Sequence, residues 1–215
     1  MIKVENVEVF NFEGALRGLR NPMNSWDRSD SQVVTDYVDH TNKFILGKND
    51  LDLARRLFKA GNEHRKYLRQ IFVSMDITCH HTWWAEFDTY KIGVTRNSCS
   101  KMHRIHVKEF DLDDFSHEGI SEIGGVTMSC FSGVINELEH LRKAFNETKD
   151  KKYWRAMIEL LPMGYNLKAT ITMNYENVIN MIHQRSNHKL DEWREFCEIL
   201  NGLPYIKEIT GGIIE

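Results

Sequence analysis

The chain has 215 residues, 41% of them hydrophobic and 27% charged, and a formal net charge of −3. The length suits one domain over residues 1–215, and the balance excludes a disordered or fibrous chain. The near-neutral charge excludes a general nucleic-acid coat, and no apolar run approaches the ~20 residues that cross a bilayer.

Met1 to Asn6 alternates with charges and does not read as a signal peptide. Residues 2–11 read as a strand. Residues 12–36 hold Gly14, Gly18, Pro22 and several Asn, Ser and Asp, and read as loop. There Arg20, Asn21, Asn24, Ser25 and Trp26 combine donors, charge and a ring. Such a segment either closes over a ligand or lies as an ordinary surface loop. Asn49 is placed to cap a helix with Leu51, Ala54, Leu57 and Phe58 on one face and Gly61 as its stop. Residues 71–77 alternate, with Ile71, Val73, Met75 and Ile77 facing one way, which predicts a half-buried strand. A helix is expected over 81–92, with Trp83, Phe87 and Tyr90 at helical spacing and Gly93 as stop. Residues 94–108 read as an ordered loop. Residues 131–147 give the clearest amphipathic helix, through Val134, Ile135, Leu138, Leu141 and Phe145. A helix over 151–160 stops before Pro162. A strand over 166–173 and helices over 175–185 and 189–200 follow. Helices and strands mix without a regular β-α-β repeat, so the fold class is α+β.

The charge pattern carries the first chemical signal. Thr89 to Lys108 holds five cations (Lys91, Arg96, Lys101, Arg104, Lys108) and no acid. Inside lies Arg96-Asn97-Ser98-Cys99-Ser100-Lys101, whose amide, hydroxyl and backbone donors between cations suit a phosphate or another anion. The plain alternative is a solvated basic loop balanced by Glu109, Asp111, Asp113 and Asp114. On the strand 166–173, Lys168, Thr170 and Thr172 share one face, toward solvent or a ligand. In the helix that Asn174 is placed to cap, Arg185 continues the stripe of Val178 and Ile182. A cation there snorkels to water or meets an anion.

Other signals are weaker. His80 and His81 adjoin Cys79, but neighbours on one backbone point apart and no carboxylate is suitably spaced, so they read as structural rather than metal ligands. His103 and His106 would pair only on a helix. Cys99 in a basic loop reads as an unreactive thiol before a nucleophile. Trp83, Trp84 and Trp193 read as core or as ring-stacking surfaces. The four cysteines lack a C-x-x-C pair, as expected of reduced thiols in a cytoplasm. No G-x-G-x-x-G or P-loop is present.

Leu161-Pro162, then Lys168, Thr172, Asn174, Asn180, Arg185, His188 and Glu192 resemble the end of the flavin-dependent thymidylate synthases, the ThyX family. There a Leu-Pro precedes a strand with a basic residue and a Thr-x-Asn end, then a helix ending in Leu-x-Arg, then His-Ala-Gln-x-Glu. The strand 71–77, the Trp-rich helix and the loop 96–102 follow the order and spacing of the family's strand, helix and motif R-H-R-x-x-S-x-N-E-x-S-x-R-Y. The likeness runs from roughly residue 64 to 200, and the first 60 residues match only vaguely.

The resemblance implies a mixed α/β domain with a central sheet, assembled as a homotetramer with active sites between subunits. It implies FAD, reduced by NADPH, and transfer of methylene from methylenetetrahydrofolate to C5 of dUMP without a protein nucleophile. Arg185 matches the arginine that holds the uracil, and Lys168 sits where an arginine binds the phosphate. Asn174 and Asn180 match asparagines of the flavin site. Lys101 falls at the motif's last arginine and Cys99 at its second serine. A one-residue slip places Ser100 at that serine and Asn97 at the asparagine, so Asn97, Ser98, Cys99, Ser100 and Lys101 all enter the substrate side. The departures are Thr89-Tyr90-Lys91 for Arg-His-Arg, Asn97 for the glutamate, Glu86 for a glutamine and Glu176 for a flavin-site arginine. Tyr90 and Lys91 are then the residues left to border the flavin. The chain looks like a branch carried by phages and prophages, which would act in the host cytoplasm. The leading expectation is one-carbon transfer to C5 of a pyrimidine deoxynucleotide. A non-catalytic nucleotide-binding protein on the same fold, without flavin, is the rival, and a purely structural oligomer the third reading. Neither a metal nor a nucleic-acid partner is expected.

Overall fold

The computed structural model describes residues 1–36 and 41–212. In chain order they form β1 (Lys3–Phe10), α1 (Phe12–Arg20), β2 (Gln32–Asp36), β3 (Thr41–Ile45) and α2 (Lys48–Lys59). Next come β4 (Phe72–His80), α3 (His81–Phe87), β5 (Val94–Ser98), α4 (Lys101–Arg104) and α5 (Glu118–Ile123). The long α6 (Gly125–Thr148) and α7 (Lys151–Leu160) lead to β6 (Asn166–Asn174), α8 (Tyr175–Arg185), α9 (Asp191–Asn201) and α10 (Ile206–Thr210). β1, β4, β6 and β5 form one antiparallel sheet in that order. β2 pairs antiparallel with β3 in a second sheet, Val33 opposite Phe44. This is the expected α+β class.

The alternation expected of the central strands is present. Val73, Met75, Ile77 and Cys79 are buried along β4, and Leu167, Ala169, Ile171 and Met173 along β6. Both strands end in the cap of the next helix. The His80 side chain accepts from the Trp83 N–H, and the Asn174 side chain accepts from the Asn177 N–H. Asn177 answers at the Asn174 N–H, closing a capping box. Each strand therefore turns into its helix without a loop, and the expected span 175–185 is met.

The residues group into two compact units. The first comprises Met1–Glu5, Asp76–Thr89 and Arg96–Thr170; the second comprises Asn6–Met75, Tyr90–Thr95 and the chain from Ile171 onward. The first unit has a core of Ile105, Phe110, Phe115, Ile135, Leu138 and Met157. In it Trp83 packs edge-on to Trp84 at 4.9 Å between ring centroids, and both are buried. The second unit centres on Phe12, whose ring stacks on Phe44 at 5.1 Å and meets Tyr175 and Tyr205 edge-on.

Four expectations need correction. The stretch 12–36 is not loop throughout: α1 forms because Phe12, Ala15, Leu16 and Leu19 lie at helical spacing and are all buried. Gly14 and Gly18 are not breakers there. Each lies under a neighbouring side chain, that of Asn11 or Gln70, which takes the space of a Cβ. The cap of α2 is Gly47, not Asn49; the Asp30 carboxylate in the preceding loop accepts from the Asn49 and Asp50 N–H groups instead. The helix expected over 81–92 ends at Phe87, and Tyr90 and Gly93 lie beyond it. Gly93 has φ +74°, and a Cβ would fall 2.6 Å from Asn174 Nδ2, so the position suits glycine for two reasons. Residues 94–108 are not loop throughout, because β5 and α4 lie within them. The inward position at 96 of β5 is an arginine, which hid the alternation. Beyond these, α6 begins at Gly125 rather than 131, and α9 spans Asp191–Asn201.

A buried ion pair organises the second unit. Asp50 is fully buried, and its Oδ1 receives Arg20 through Nε at 2.8 Å and Nη2 at 2.6 Å. Its Oδ2 accepts from the hydroxyls of Ser29 at 2.7 Å and Ser31 at 2.6 Å, and from the N–H groups of Asp30 and Ser31. Burial opposes ionisation, but the bonds from Ser31, Ser29 and Arg20 outweigh it and hold the carboxyl below its ordinary value. Asp50→Ala strands a buried guanidinium, so a loss of about 3–5 kcal/mol is expected from denaturant midpoints. The stability from ionised Asp50 is complete above the unfolded value of 3.8 and disappears as pH falls through the lower folded value. The acid slope of stability is expected to flatten in Asp50→Asn; an unaltered slope contradicts the assignment.

Candidate functional site

In the first unit, the basic segment is largely matched by partners. Arg96 Nη1 reaches both oxygens of Asp88, at 2.7 and 2.8 Å, and the guanidinium lies 4.5 Å from the Trp84 ring centre. Trp84 is itself fixed by donating to the Leu167 carbonyl at 3.0 Å. Lys108 pairs with Asp114 at 2.6 Å and with Asp111 at 3.4 Å, so the following acids balance the end of the run. Lys101 opens α4, which Ser100 caps by accepting from the His103 N–H. Its ammonium donates to His81 Nε2 at 2.7 Å. Burial, followed by the charges of Lys101 and Arg96, pushes His81 down to about 4. The ring is therefore neutral near pH 7 and presents a lone pair to Lys101. Burial and Arg96 also hold Lys101 below its ordinary value. A half-buried cation on a neutral acceptor keeps its charge for an anion.

Asn97 and Ser98 are exposed near the end of β5. Cys99 is exposed too, and its N–H donates to the Lys168 carbonyl at 3.0 Å. The Lys168 ammonium lies 3.3 Å from Asp76 and 3.4 Å from Glu5, and Thr170 donates to Asp76 at 2.6 Å. The polar row of β6 is thus tied to carboxylates, and the two acids raise the Lys168 pKa.

In the second unit, Arg185 ends α8 and its Nε donates to the Tyr90 hydroxyl at 3.0 Å. Its guanidinium lies 5.0 Å from the Trp193 ring centre and 5.7 Å from that of Tyr90. Tyr90 donates in turn to Gln184 Oε1 at 2.9 Å. Two rings and a hydroxyl hold the guanidinium plane. Asn177 Nδ2 donates to the Ile92 carbonyl at 2.9 Å, which ties the Tyr90–Thr95 segment to the start of α8. Asn180 is half-buried and Lys91 exposed, and neither side chain has a hydrogen-bond partner among the described residues. Glu176 pairs with Arg65 at 3.2 Å and with Arg69 at 3.4 Å, which accounts for an acid at that position.

The structure joins Tyr90 to Arg185, two residues expected to serve different ligands. It also reveals His81 and Trp193 as the supports of Lys101 and Arg185. His81 stands 20 residues before Lys101, and no periodicity links them. His80 serves as a helix cap and His81 as an acceptor for lysine. His103 lies on α4 after all.

No family model matches the chain, and no curated protein sequence does. Solved structures do. Thymidylate synthase X from Helicobacter pylori, crystallised with FAD and dUMP, superposes with a TM-score of 0.67 and 17% identity over 98% of this chain and 97% of that one. A second structure of the same enzyme with FAD and dUMP gives a TM-score of 0.66 and 18% identity over 97% of each chain. The chain therefore has a divergent form of the ThyX fold, that of the flavin-dependent thymidylate synthases.

Proposed function

We propose that this protein binds a pyrimidine deoxynucleotide, dUMP or a close relative, and transfers a one-carbon group to its C5 with the help of a flavin. The observation that supports it best is Arg185, held in a fixed plane by Tyr90 and Trp193 on a fold whose solved examples bind dUMP. A planar guanidinium matches the carbonyl edge of a pyrimidine through paired hydrogen bonds. Within the first unit, Lys101, backed by neutral His81, is a cation of the kind that a phosphate needs, at a position that the resemblance places on the substrate side. Lys168 is a second cation for it, and a phosphate must compete there with Glu5 and Asp76. Asn97, Ser98, Cys99 and Ser100 contribute exposed donors beside Lys101.

The donor set of the second unit fits a flavin. Lys91 offers a cation to a pyrophosphate, and the amides of Asn180 and Asn174 offer N–H groups to the ring edge. Asn174 Nδ2 donates to no group among the described residues, since its cap uses the oxygen. Bound there, a flavin would supply hydride and carry the carbon, with NADPH as reductant and methylenetetrahydrofolate as carbon source. The chain's own groups bind, orient and polarise the nucleotide. Assembly into a tetramer belongs to the same reading.

A second reading is favoured by one observation. Tyr90, which stands within the former Arg-His-Arg, is committed to Arg185 and Gln184. A protein that only sequesters or senses a nucleotide needs no more than this.

Four outcomes are expected. Arg185→Ala should weaken dUMP binding about 10- to 100-fold by calorimetry without unfolding the protein, and Arg185→Lys should restore little of it. Unchanged affinity in both variants removes the central support. Protein purified and incubated with FAD should absorb near ~450 nm after desalting; nucleotide binding without that band selects the second reading. Below pH 6.5 the unfolded chain protonates His81 before the folded chain does, so stability should fall from there to about 4. His81→Gln should remove that slope. Lys101→Ala should raise the His81 value, followed by NMR, but only part of the way, because burial is the larger cause.

A further inference from the structure

The segment Arg17–Ser31 takes no part in the proposed reaction, yet it builds a concave basic surface within the second unit. A cleft of about 660 Å³ is lined by Arg20, Arg28, Asn49, Asp52, Arg55 and Arg56. A second cavity of about 470 Å³ shares Arg20, Arg28 and Arg56 and adds Asn24, Ser25 and Asp27 among its lining. Three separate pieces of chain gather these guanidiniums: the end of α1, the turn Trp26–Arg28 and α2.

The arginines are not equally occupied. Arg20 is neutralised by Asp50, and its Nη2 also donates to the Arg28 carbonyl at 3.1 Å. Arg55 donates through Nε to the Glu208 carbonyl at 2.6 Å, a neutral partner that leaves its charge uncompensated. The side chains of Arg28 and Arg56 have neither an ion pair nor a hydrogen bond among the described residues. The lining carboxylates are Asp52 in the larger cavity and Asp27 in the smaller. Cations crowded on one concave surface repel each other unless an anion joins them.

An independent observation points to a ligand. Ser25 is 8% exposed, and its hydroxyl has no hydrogen-bond partner among the described residues. It lines the smaller cavity beside Arg28 and Arg56. A buried hydroxyl left unsatisfied is costly, and such atoms in folded proteins usually have a partner.

We propose that this cleft is a binding site for a phosphorylated small molecule, its phosphate held by Arg28 and Arg56 and accepting a hydrogen bond from Ser25 Oγ. Arginine rather than lysine suits the paired contacts of a phosphate, and the volume suits a ligand of nucleotide size. Its residues are separate from Lys101, Lys168 and Arg185, so it stands whether or not the proposed reaction does.

The test is calorimetric titration of the full chain with inorganic pyrophosphate, repeated on Arg28→Gln, Arg56→Gln and Ser25→Ala. Saturable binding is expected, weakened about tenfold or more by either glutamine and by less in Ser25→Ala. Melting temperatures and dUMP affinity should match those of the parent in all three, which separates this result from the fate of the nucleotide assignment. No saturable binding to the parent overturns the proposal. So does an affinity that follows ionic strength but ignores both arginine substitutions. Binding of a thymidine oligonucleotide in the absence of pyrophosphate binding overturns it as well, since the surface would then serve a polymer.

Discussion

Asp50 is one carboxylate that three pieces of chain depend on. It takes Arg20 from the end of α1, both serine hydroxyls of the Ser29–Ser31 turn, and sits in the first turn of α2. Asp30 returns the favour by accepting from the first N–H groups of α2. The two aspartates therefore exchange caps across the loop. Two charges taken out of water gain little net stability, because desolvation offsets their attraction. What they gain is a defined arrangement: only one placement of the turn satisfies all these donors. The cleft of arginines exists because that turn is fixed.

A second economy places the candidate site. β4 and β6 each end on a residue that caps the following helix, so the start of α3 and α8 is set by the sheet. His81 is the first residue of α3, and Arg185 the last of α8. The Lys101 ammonium meets the His81 imidazole, and the Arg185 guanidinium packs against the rings of Tyr90 and Trp193. Lys168 and Arg96, by contrast, face carboxylates. Within the basic run, Arg96 and Lys108 are matched by acids, whereas Lys101 rests on a neutral ring, the arrangement that suits ligand binding.

Much of the fold was legible where a single physical rule governed a segment. Alternation announced β4 and β6, and the asparagine at 174 with an apolar stripe announced α8. The rule failed where two signals competed. In α1 the glycines looked like breakers, but their missing Cβ atoms make room for Asn11 and Gln70. In β5 an inward arginine replaced an apolar residue, because Asp88 and Trp84 make that position hospitable to a cation. The site was legible as a set of residue types but not as pairs. Nothing local in the sequence joins Lys101 to His81, or Tyr90 to Arg185; only strand order and helix packing do.

The salt-bridged state of Lys168 has a consequence for selectivity. Its ammonium rests between the carboxylates of Glu5 and Asp76, on a half-exposed face of the sheet. Those carboxylates are tethered to the chain and cannot leave as free counterions do, so an incoming anion meets their repulsion together with the pull of the ammonium, and a dianion feels both doubled. The strand face therefore behaves like a zwitterion already closed on itself. It holds no net positive field to attract anions from a distance, so a phosphate gains at Lys168 only where a further cation offsets the two carboxylates.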